Sequence, residues 1–331
     1  MMVSNPLFTA SMHLVEQWLG LLTDLGRADA TIKAYRGALT HYLRYCEATS
    51  LNPPSARFED FSAYLRPQLP GMAQPVASAT LQLRISAIRL WYEYLYYQDL
   101  CETSPIPRAM LPGPVFSGRG LVPRITRLPR IPDDHDWFTL QQAATATLRD
   151  RLMLALAYYG ALRRAEVTAL RVDDLDLGHR LIRIRAETTK NHRERMVCYS
   201  PTVTPVLAAH LQQLRQSGFS GGPLFRSVSD RNHGMPLSIW SWSKIVRNWG
   251  LKSGLPDLST HTFRHLRLTH LARAGWKLHE LAAYAGHRDP RTTQIYLHLS
   301  GTDLAASMAG AVAELDKKVA GLVFSDRGLL L

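Results

Sequence analysis

The chain has 331 residues, which is enough for two ordinary domains with separate cores. A composition of 46% hydrophobic and 20% charged residues is typical of a folded, soluble protein. The formal net charge of +12 predicts an anionic partner, with nucleic acid as the first candidate and a basic surface without function as the alternative.

Three sequence signals argue against a secreted or membrane-bound protein. The cysteines Cys46, Cys101 and Cys198 are odd in number and far apart, which indicates a reducing, intracellular setting and no ligand cluster. The N-terminal sequence MMVSNPLFTASMHLV lacks a basic stretch followed by an apolar one, so we expect no secretory leader. No apolar run approaches the ~20 residues that span a bilayer. We therefore expect a cytoplasmic protein, associated with the nucleoid if DNA is its partner.

The N-terminal part of the chain has the periodicity of a helical domain. Apolar residues recur at helical spacing over residues 12–25, 31–46 and 58–65, and again over the longest stretch, residues 78–98. Basic residues stand outside the apolar stripes and are candidate DNA contacts: Lys33, Arg36, Arg84 and Arg89. A basic helix of this kind either lies in a DNA groove or forms the solvated face of a bundle, and its pattern alone favours neither.

A linker follows at residues 105–132. It is rich in proline and glycine, has no acidic residue, and carries arginines that include Arg119, Arg124 and Arg127. Such a segment cannot bury a core, so we expect an extended tether between two domains. Its arginines either stay solvated or neutralise phosphates of a duplex enclosed by the two domains.

The second domain begins near residue 133, and its first clear element is an apolar helix over residues 148–159. Arg163 and Arg164 follow Gly160 where two core helices meet. An unpaired buried charge is costly, so an arginine here needs an anion or an acceptor. The alternative to a bound anion is a structural ion pair with Glu166 or Asp173.

The sequence RLIRIRAETTKNHRERMVCYS alternates apolar and polar residues on both sides of a polar turn, which predicts a β-hairpin. Lys190 lies in the turn, where a lysine is ordinarily just solvated. Helices are expected over residues 203–216 and 239–250. The second of these is rich in tryptophan, and its Lys244 and Arg247 are candidate phosphate contacts.

The stretch from residue 261 to residue 296 predicts two or three short helices with unusual polar residues. His261 and Arg264 are three residues apart and therefore share a helix face, where a guanidinium and an imidazole together suit a phosphate. His261 and His265 have the spacing of a zinc motif, but Thr262 replaces the motif's glutamate and no cysteine is near. We therefore expect no metal.

Three elements of this stretch resemble a known signature. H-T-F-R-H, then G-H, then the tyrosine of T-T-Q-I-Y-L-H closely resemble the C-terminal signature of the tyrosine recombinases, the phage integrase family. The run T-x-x-x-R-x-S-A-I-R at residues 80–89 is similar to one in the last helix of that family's core-binding domain. The L-R-x-x-E sequence after Gly160 resembles another family box, which identifies Arg163, rather than Arg164, as the first catalytic arginine and Glu166 as its acidic partner.

The hairpin resembles the family's K-G-x-K-x-R-x-V-P pattern, which places Lys190 on the catalytic lysine. It departs from the pattern in having Asn191 for glycine and Cys198 for proline. The resemblance implies a mainly α fold with a small β-sheet or hairpin. The expected parts are a helical core-binding (SAM-like) domain at residues 8–104, the linker at 105–132, a mixed α/β catalytic domain at 133–300, and a tail at 301–331. The tail has helical apolar spacing and docks either in cis or on a neighbouring protomer.

The resemblance implies an active site that includes Arg163, Lys190, His261, Arg264, His287 and Tyr296. In this scheme Tyr296 attacks a DNA phosphate and forms a 3′-phosphotyrosyl bond without metal or cofactor. The arginines contact the phosphate oxygens, His261 is the candidate base, Lys190 protonates the leaving oxygen, and His287 hydrogen-bonds the phosphate.

The implied partners are paired double-stranded recombination sites and a homotetramer that assembles on them, with an accessory protein left open. Two alternatives use the same fold. One is a DNA-binding regulator without strand exchange, and the other is an enzyme of the type IB topoisomerase kind.

Overall fold

The computed structural model describes residues 6–106, 122, 130–144, 146–189, 192–289 and 291–299. Contacts between residues divide the chain into two compact units, Met1–Arg127 and Leu128–Leu331. The division falls inside the stretch that we predicted to be a linker, residues 105–132. The expected C-terminal tail at residues 301–331 lies outside the described residues.

The first unit is helical. Its elements are α1 (Pro6–Asp24), α2 (Asp29–Ala48), α3 (Phe58–Leu65) and α4 (Ser78–Tyr97). The bounds of α3 and α4 agree with the periodicity of the sequence to within one residue. By contrast, α1 begins six residues before the predicted start at residue 12, because Phe8 on its first turns already packs against the core of this unit.

Aromatic side chains fill the centre of the first unit. The apolar stripe predicted on α4 is buried as expected, with Trp91 and Leu95 both fully enclosed. The hydroxyls of Tyr42 on α2 and Tyr92 on α4 lie 2.7 Å apart. Tyr92 donates its proton to the carbonyl of Pro53 at 2.9 Å, so Tyr42 donates to the Tyr92 oxygen, and both buried phenols are satisfied. The core thus depends on both apolar area and a small internal hydrogen-bond network.

The second unit holds eight helices among the described residues. They are α5 (Asp134–Ala143), α6 (Leu148–Tyr159), α7 (Arg164–Ala169), α8 (Thr204–Gln216), α9 (Ile239–Lys252), α10 (Thr260–Arg273), α11 (Leu278–Ala285) and α12 (Arg291–Leu299). The sequence did not predict α5. Its first turn is fixed by the Asp133 side chain, which accepts a hydrogen bond from the Asp136 N–H at 2.7 Å, and only Leu140 of this helix is fully buried. A helix with so little buried surface has no clear apolar period.

The predicted hairpin forms two strands of a three-stranded antiparallel sheet. Strand β1 (Leu175–Asp176) pairs with β2 (Leu181–Ile184), and β2 pairs with β3 (Arg195–Cys198). Ile182 faces Val197 in register, and both side chains are buried against the helices. The additional strand β1 has only two residues, too few to show an alternating pattern. The mainly α fold with a small sheet is therefore confirmed.

Packing around α10 brings the C-terminal helices onto the centre of the second unit. Phe263 and Leu266 of α10 are fully buried, and Phe263 packs among the rings of Trp242 and Trp249 on α9. A smaller apolar cluster joins Leu268 of α10 to Tyr296 of α12. The polar residues of α10 are thus placed among α6, α11 and α12. Within the described residues, no helix is both long and apolar enough to cross a membrane.

Replacing Phe263 by alanine tests this packing. Phe263 is 0% exposed, and deleting a buried phenylalanine ring costs about 3–5 kcal/mol of unfolding free energy because it leaves a cavity. Urea unfolding followed by tryptophan fluorescence measures the loss, with Phe138→Ala on α5 as the matched control because Phe138 is 60% exposed. Equal losses in the two variants would contradict the assignment of Phe263 to the core.

Candidate active site

Arg264 is the most deeply buried of the three arginines of the site that the structure describes. It projects from the first turns of α10. The start of this helix is fixed by a hydrogen bond at 3.1 Å, which the backbone N–H of Ser259 donates to Thr262 Oγ1. The guanidinium of Arg264 is 2% exposed and donates to the carbonyls of Ala161, at 2.7 Å, and Ala285. It makes a third contact to His287 Nε2 at 2.9 Å.

The two carbonyls that accept from Arg264 stand at helix C-termini. Ala161 follows the end of α6, and Ala285 is the last residue of α11. Carbonyls at a helix C-terminus carry partial negative charge, so they stabilise a cation without neutralising it as a carboxylate would. Burial, together with Arg163 nearby, lowers the pKa of Arg264 to about 9, so the guanidinium stays charged at neutral pH.

Glu166 balances two further arginines. Its carboxylate is fully buried and accepts from Arg163 Nη1 at 2.9 Å and from both Nη atoms of Arg195 at 3.0 and 2.7 Å. It also accepts from the backbone N–H of Arg163 at 2.8 Å, which fixes the first turn of α7. Burial alone would raise the pKa of Glu166, but Arg195 and Arg163 outweigh burial and hold the pKa at about 2.

The loop after α11 completes the positioning of Arg163. Arg163 Nη2 donates to the carbonyl of Gly286 at 3.2 Å. Gly286 adopts φ +63°, a left-handed conformation that disfavours side chains, and a Cβ atom there would lie 3.1 Å from Cδ of Arg195. Glycine at this position therefore lets the loop and the Arg195 side chain approach each other.

His287 is held in one tautomer by its neighbours. A guanidinium can only donate, so the contact with Arg264 makes His287 Nε2 the acceptor. Its Nδ1 then carries the proton and donates to Thr293 Oγ1, 2.9 Å away on α12. Burial and the positive charge of Arg264 and Arg163 lower the pKa of His287 to about 3, consistent with a neutral ring.

Tyr296 lies against this cluster with its hydroxyl held by a histidine. The residue is 2% exposed, and its ring stacks on that of His287 with a 7° angle between the planes. His265 Nδ1 lies 3.0 Å from the Tyr296 hydroxyl. Burial raises the pKa of Tyr296, while the nearby Arg264 and Arg163 act in the opposite direction. The phenol is therefore protonated in the resting protein.

His261 occupies the exposed rim of the same group. Partial desolvation, and then Arg264 and Arg163, lower the pKa of His261. Its ring contacts that of His265, with centroids 5.9 Å apart. Across the described residues, no group of three or more histidine, cysteine or acidic side chains is arranged to hold a metal ion.

The structure thus brings Arg163, Glu166, Arg264, His287 and Tyr296 into one connected group, with His261 at its rim. Lys190 lies outside the described residues, so its role stays a prediction. Arg164 points elsewhere, since its Nη1 donates to Ser243 Oγ at 3.2 Å and its guanidinium lies over the Trp240 ring.

Sequence reasoning missed three contributors to this group. His265 was considered only as half of a zinc pair, although it contacts the hydroxyl of Tyr296. Arg195 appears in the resembling hairpin pattern without an assigned role, and Thr293 was not singled out. The signal for Arg195 was Glu166, a carboxylate that needs cationic partners if it is buried. Sequence alone does not show this pairing, because the two residues are 29 positions apart and only the fold brings them together.

The candidate DNA-contacting residues occupy different environments. Lys33, Lys244 and Arg247 are exposed, whereas Arg36 pairs with Glu16 at 2.7 Å. Arg84 is half-buried and donates to Gln68 Oε1 at 2.5 Å. Arg89 is half-buried, and its Nε atom is enclosed without a hydrogen-bond partner among the described residues. Arg119, Arg124 and Arg127 lie outside the described residues.

Taken together, the group is electropositive. Three guanidiniums, those of Arg163, Arg195 and Arg264, meet a single carboxylate among the described residues, that of Glu166. Burial, and after it this excess of positive charge, lowers the pKa values of His261, His265 and His287. The arrangement suits a phosphate placed beside the hydroxyl of Tyr296.

Replacing Glu166 by glutamine tests its part in the group. Removing one partner of a buried ion pair leaves Arg195 and Arg163 uncompensated and costs about 3–5 kcal/mol of unfolding free energy. Because the folded-state pKa of Glu166 is depressed, its contribution is present above the unfolded value near 4.5 and is lost as the pH falls towards about 2. Urea unfolding of both chains should therefore show the difference between them shrinking below pH 4.5.

Glu187→Gln is the matched control for this measurement. Glu187 pairs with Arg185 at 2.8 Å, but its side chain is 70% exposed, so solvent screens the pair and stability should change little. A Glu166→Gln chain as stable as this control at neutral pH would contradict the ion-pair analysis.

Known proteins resemble the chain in both sequence and fold. It is 29% identical over 299 residues to the tyrosine recombinase XerD of Listeria monocytogenes, an alignment that covers 87% of this chain and 94% of the relative. It is also 29% identical to the tyrosine recombinase XerC of Herpetosiphon aurantiacus, covering 86% and 90% of the two chains.

Solved structures share the fold. The XerH site-specific recombinase, in a post-cleavage complex with palindromic difH substrate, aligns with a TM-score of 0.64 at 16% identity over 84% of this chain and 79% of that one. A lambda integrase dimer bound to a COC′ core site aligns with a TM-score of 0.62 at 14% identity over 86% and 94%. The sequence profile of the phage integrase family matches residues 137–302, half of the chain. The chain therefore belongs to the phage integrase family, the tyrosine recombinases.

Proposed function

We propose that this site-specific recombinase cuts and rejoins DNA through a covalent bond between Tyr296 and a 3′-phosphate. The observation that carries the proposal is the Tyr296 hydroxyl, buried near the guanidiniums of Arg264 and Arg163. Among the described residues, Glu166 is the one carboxylate paired with the arginines of this site, so positive charge is in excess. A protein that only bound DNA would gain nothing from a hydroxyl there. The same burial shields a reacting phosphate from competing water.

Arg163 and Arg264 hold the scissile phosphate in this scheme. Negative charge accumulates on the non-bridging oxygens as the phosphoryl group is transferred, and fixed donors that need no reorganisation stabilise that charge. Arg264 is locked by two backbone carbonyls and Arg163 by Glu166, so both guanidiniums are oriented before DNA arrives. The exposed His261 contributes a further hydrogen bond to the phosphate. Sequence reasoning gave His287 the same task, but its Nε2 accepts from Arg264 and its Nδ1–H donates to Thr293, so we assign it to orienting Arg264.

Lys190 is assigned to the leaving oxygen. Breaking the P–O5′ bond would release an alkoxide, a poor leaving group, so a proton has to reach O5′ during cleavage. The reaction conserves bond energy in the phosphotyrosyl link. A 5′-hydroxyl of a partner strand then attacks the link and restores the phosphodiester, so the cycle requires no cofactor.

We place the reaction on paired duplex sites held by a homotetramer. Exchange between two duplexes breaks four strands, and each protomer carries one Tyr296, so four protomers match four cleavages. The +12 net charge favours binding to a polyanion. The site of action is then the cytoplasm, at the nucleoid. The tail at residues 301–331 stays a predicted docking element, in cis or between protomers.

DNA contacts outside the active site are assigned first to α9. Trp242, Val246 and Trp249 of this helix face the core, whereas Lys244 and Arg247 are exposed on the opposite side. Lys33 on α2 is also exposed and free to meet a phosphate in the same way. Such contacts position the protein on DNA and carry little sequence information.

Covalent trapping tests the nucleophile. The protein is incubated with genomic fragments that adjoin the gene, and the mixture is denatured and resolved on a gel. The fragments are nicked at random, so that the short strand released by cleavage diffuses away and cannot be rejoined. We expect a covalent adduct that is absent with Tyr296→Phe, because removing the phenolic oxygen removes the nucleophile. Mass spectrometry should locate the nucleotide on Tyr296.

Tyr97→Phe, at a side chain that is exposed on the first unit, is the control and should form the adduct normally. An adduct that persists with Tyr296→Phe would refute the assignment of the nucleophile. Tight binding by the wild-type chain without any adduct would favour the regulator.

Salt titration tests the contacts on α9. Each phosphate contact contributes about one unit to the slope of log K against log salt. Binding to the duplex recovered from covalent trapping is measured by fluorescence anisotropy. We expect Lys244→Ala and Arg247→Ala each to reduce the slope by about one unit. Lys252→Ala is the control, since this exposed lysine lies at the C-terminal end of α9 on another side of the helix. Unchanged slopes for both variants would remove α9 from the interface.

A further inference from the structure

We infer that His265 is the catalytic base, which accepts the phenolic proton of Tyr296 as the hydroxyl attacks the phosphate. The inference rests on the proposed function and assigns a step that the sequence had given to His261. It is carried by the contact between His265 Nδ1 and the Tyr296 hydroxyl at 3.0 Å, within the reach required of a general base.

The direction of this hydrogen bond follows from the neighbours of the hydroxyl. Among the described residues, His265 Nδ1 is the acceptor within hydrogen-bonding distance of Tyr296, and the guanidinium of Arg264 can only donate. A phenol is also a better donor than a neutral imidazole N–H, and an imidazole nitrogen is a better acceptor than a phenol oxygen. The Tyr296 proton therefore points at His265 Nδ1.

His265 is available as an acceptor at neutral pH. Burial, then His261 and Arg264 on the same helix, lower the pKa of His265 to about 4, so the ring is uncharged. The other described titratable groups beside it are Tyr296 on α12 and His287 before that helix. A bound phosphate adds negative charge to this group and raises the pKa of His265, which makes it a stronger base in the complex.

The surroundings also provide an exit for the proton. His265 is partly exposed, and its ring contacts that of His261, which is exposed on the preceding turn of α10. The imidazole of His265 therefore lies between the buried hydroxyl and the exposed side chain of His261, four residues earlier on the same helix face. His261 keeps a role in the reaction, at the phosphate and at the rim, while the contact with the nucleophile belongs to His265.

The step balances in both directions. In cleavage the O–H bond of Tyr296 breaks and its proton moves to His265 Nδ1, the phenolic oxygen bonds to phosphorus, and the P–O5′ electron pair leaves on O5′, which takes a proton from Lys190. In rejoining, the 5′-hydroxyl gives its proton to Lys190 and attacks phosphorus, and the departing phenolate takes its proton back from the imidazolium of His265.

The experiment measures single-turnover cleavage by the full chain between pH 6 and pH 8. The probe is the nicked duplex recovered by covalent trapping, made with sulfur in the bridging 5′ position so that the leaving group needs no proton. The test variant is His265→Asn, whose amide lies where Nδ1 was and keeps a hydrogen bond to Tyr296 but cannot serve as a base. Tyr296→Phe is run alongside.

We expect wild-type cleavage to be almost independent of pH over this range, because its base is already unprotonated. His265→Asn should cleave about 100-fold more slowly at pH 7, with a rate that rises about tenfold per pH unit as hydroxide or a pre-ionised phenol takes over. Affinity for the duplex should not change. A merely structural histidine would alter the rate without introducing this slope.

His270→Asn is the matched control. His270 lies on the same helix, and its Nδ1 contacts the hydroxyl of Tyr158 at 2.7 Å, the same kind of pair outside the site. Its pH profile should stay flat. If the His265→Asn chain melts below the assay temperature, His265→Gln replaces it.

A slower but pH-independent His265→Asn, or a slope that appears with His261→Asn instead, would overturn the inference. Failure of the proposed function is separable, because it would appear as tight binding without any adduct in the wild-type chain, or as an adduct that survives in Tyr296→Phe.

Discussion

The second unit is organised around a buried positive charge that pairs with no carboxylate among the described residues. Arg264 lies within α10 and is almost fully buried. Its guanidinium donates to the carbonyls of Ala161, in the turn after α6, and Ala285, the last residue of α11. Each helix must end where it does for those carbonyls to be free. A carboxylate in their place would have made a neutral pair. The carbonyls instead fix the guanidinium and leave its charge available to a ligand.

The need to place two carbonyl groups against Arg264 also shapes the local backbone. Ala161 adopts φ +47°, an unfavourable left-handed conformation for a residue with a side chain. Its side chain is fully buried and its carbonyl accepts from Arg264, so packing and a charge-assisted hydrogen bond offset a strain of order 1–3 kcal/mol. Gly286 meets the corresponding need after α11 without strain. The two helix ends thus converge on one guanidinium.

Much of the fold followed from periodicity, whereas the contacts of the site did not. The helix over residues 148–159 was bounded correctly because its apolar run ends at a glycine, and the hairpin because its alternation is clear. Helix α5 was missed because it buries little, and β1 because two residues have no period. These failures share a cause, since pattern reasoning detects only elements whose own sequence shows which face is buried.

Some residues of the site could likewise be identified from the sequence, and others could not. A resemblance in sequence identified Arg163, Arg264, His287 and Tyr296, and the structure places these four side chains in mutual reach. The resemblance could not identify Arg195 as the second partner of Glu166, because the two residues are 29 positions apart and only the fold brings them together. His265 was visible in the sequence but ambiguous, since the same spacing from His261 suits a metal pair. Only the position of α12 distinguishes these two interpretations.

The electrostatics of the site explain why a nearby base matters most when the substrate is bound. In the free protein, burial raises the pKa of Tyr296, and the positive charges of Arg264 and Arg163 limit that rise. A bound phosphate neutralises part of that positive field, so the phenol becomes a weaker acid at the moment it must react. The same anion raises the pKa of His265. The negative charge of the phosphate therefore makes Tyr296 a weaker acid and His265 a stronger base.

The remaining gap in pKa between phenol and imidazole is closed by the reaction itself, since the phenolic proton becomes strongly acidic once its oxygen begins to bond to phosphorus. Transfer to His265 is therefore unfavourable before attack and favourable during it. A base with a low resting pKa suits this timing, because it leaves Tyr296 protonated and unreactive until a phosphate is in place.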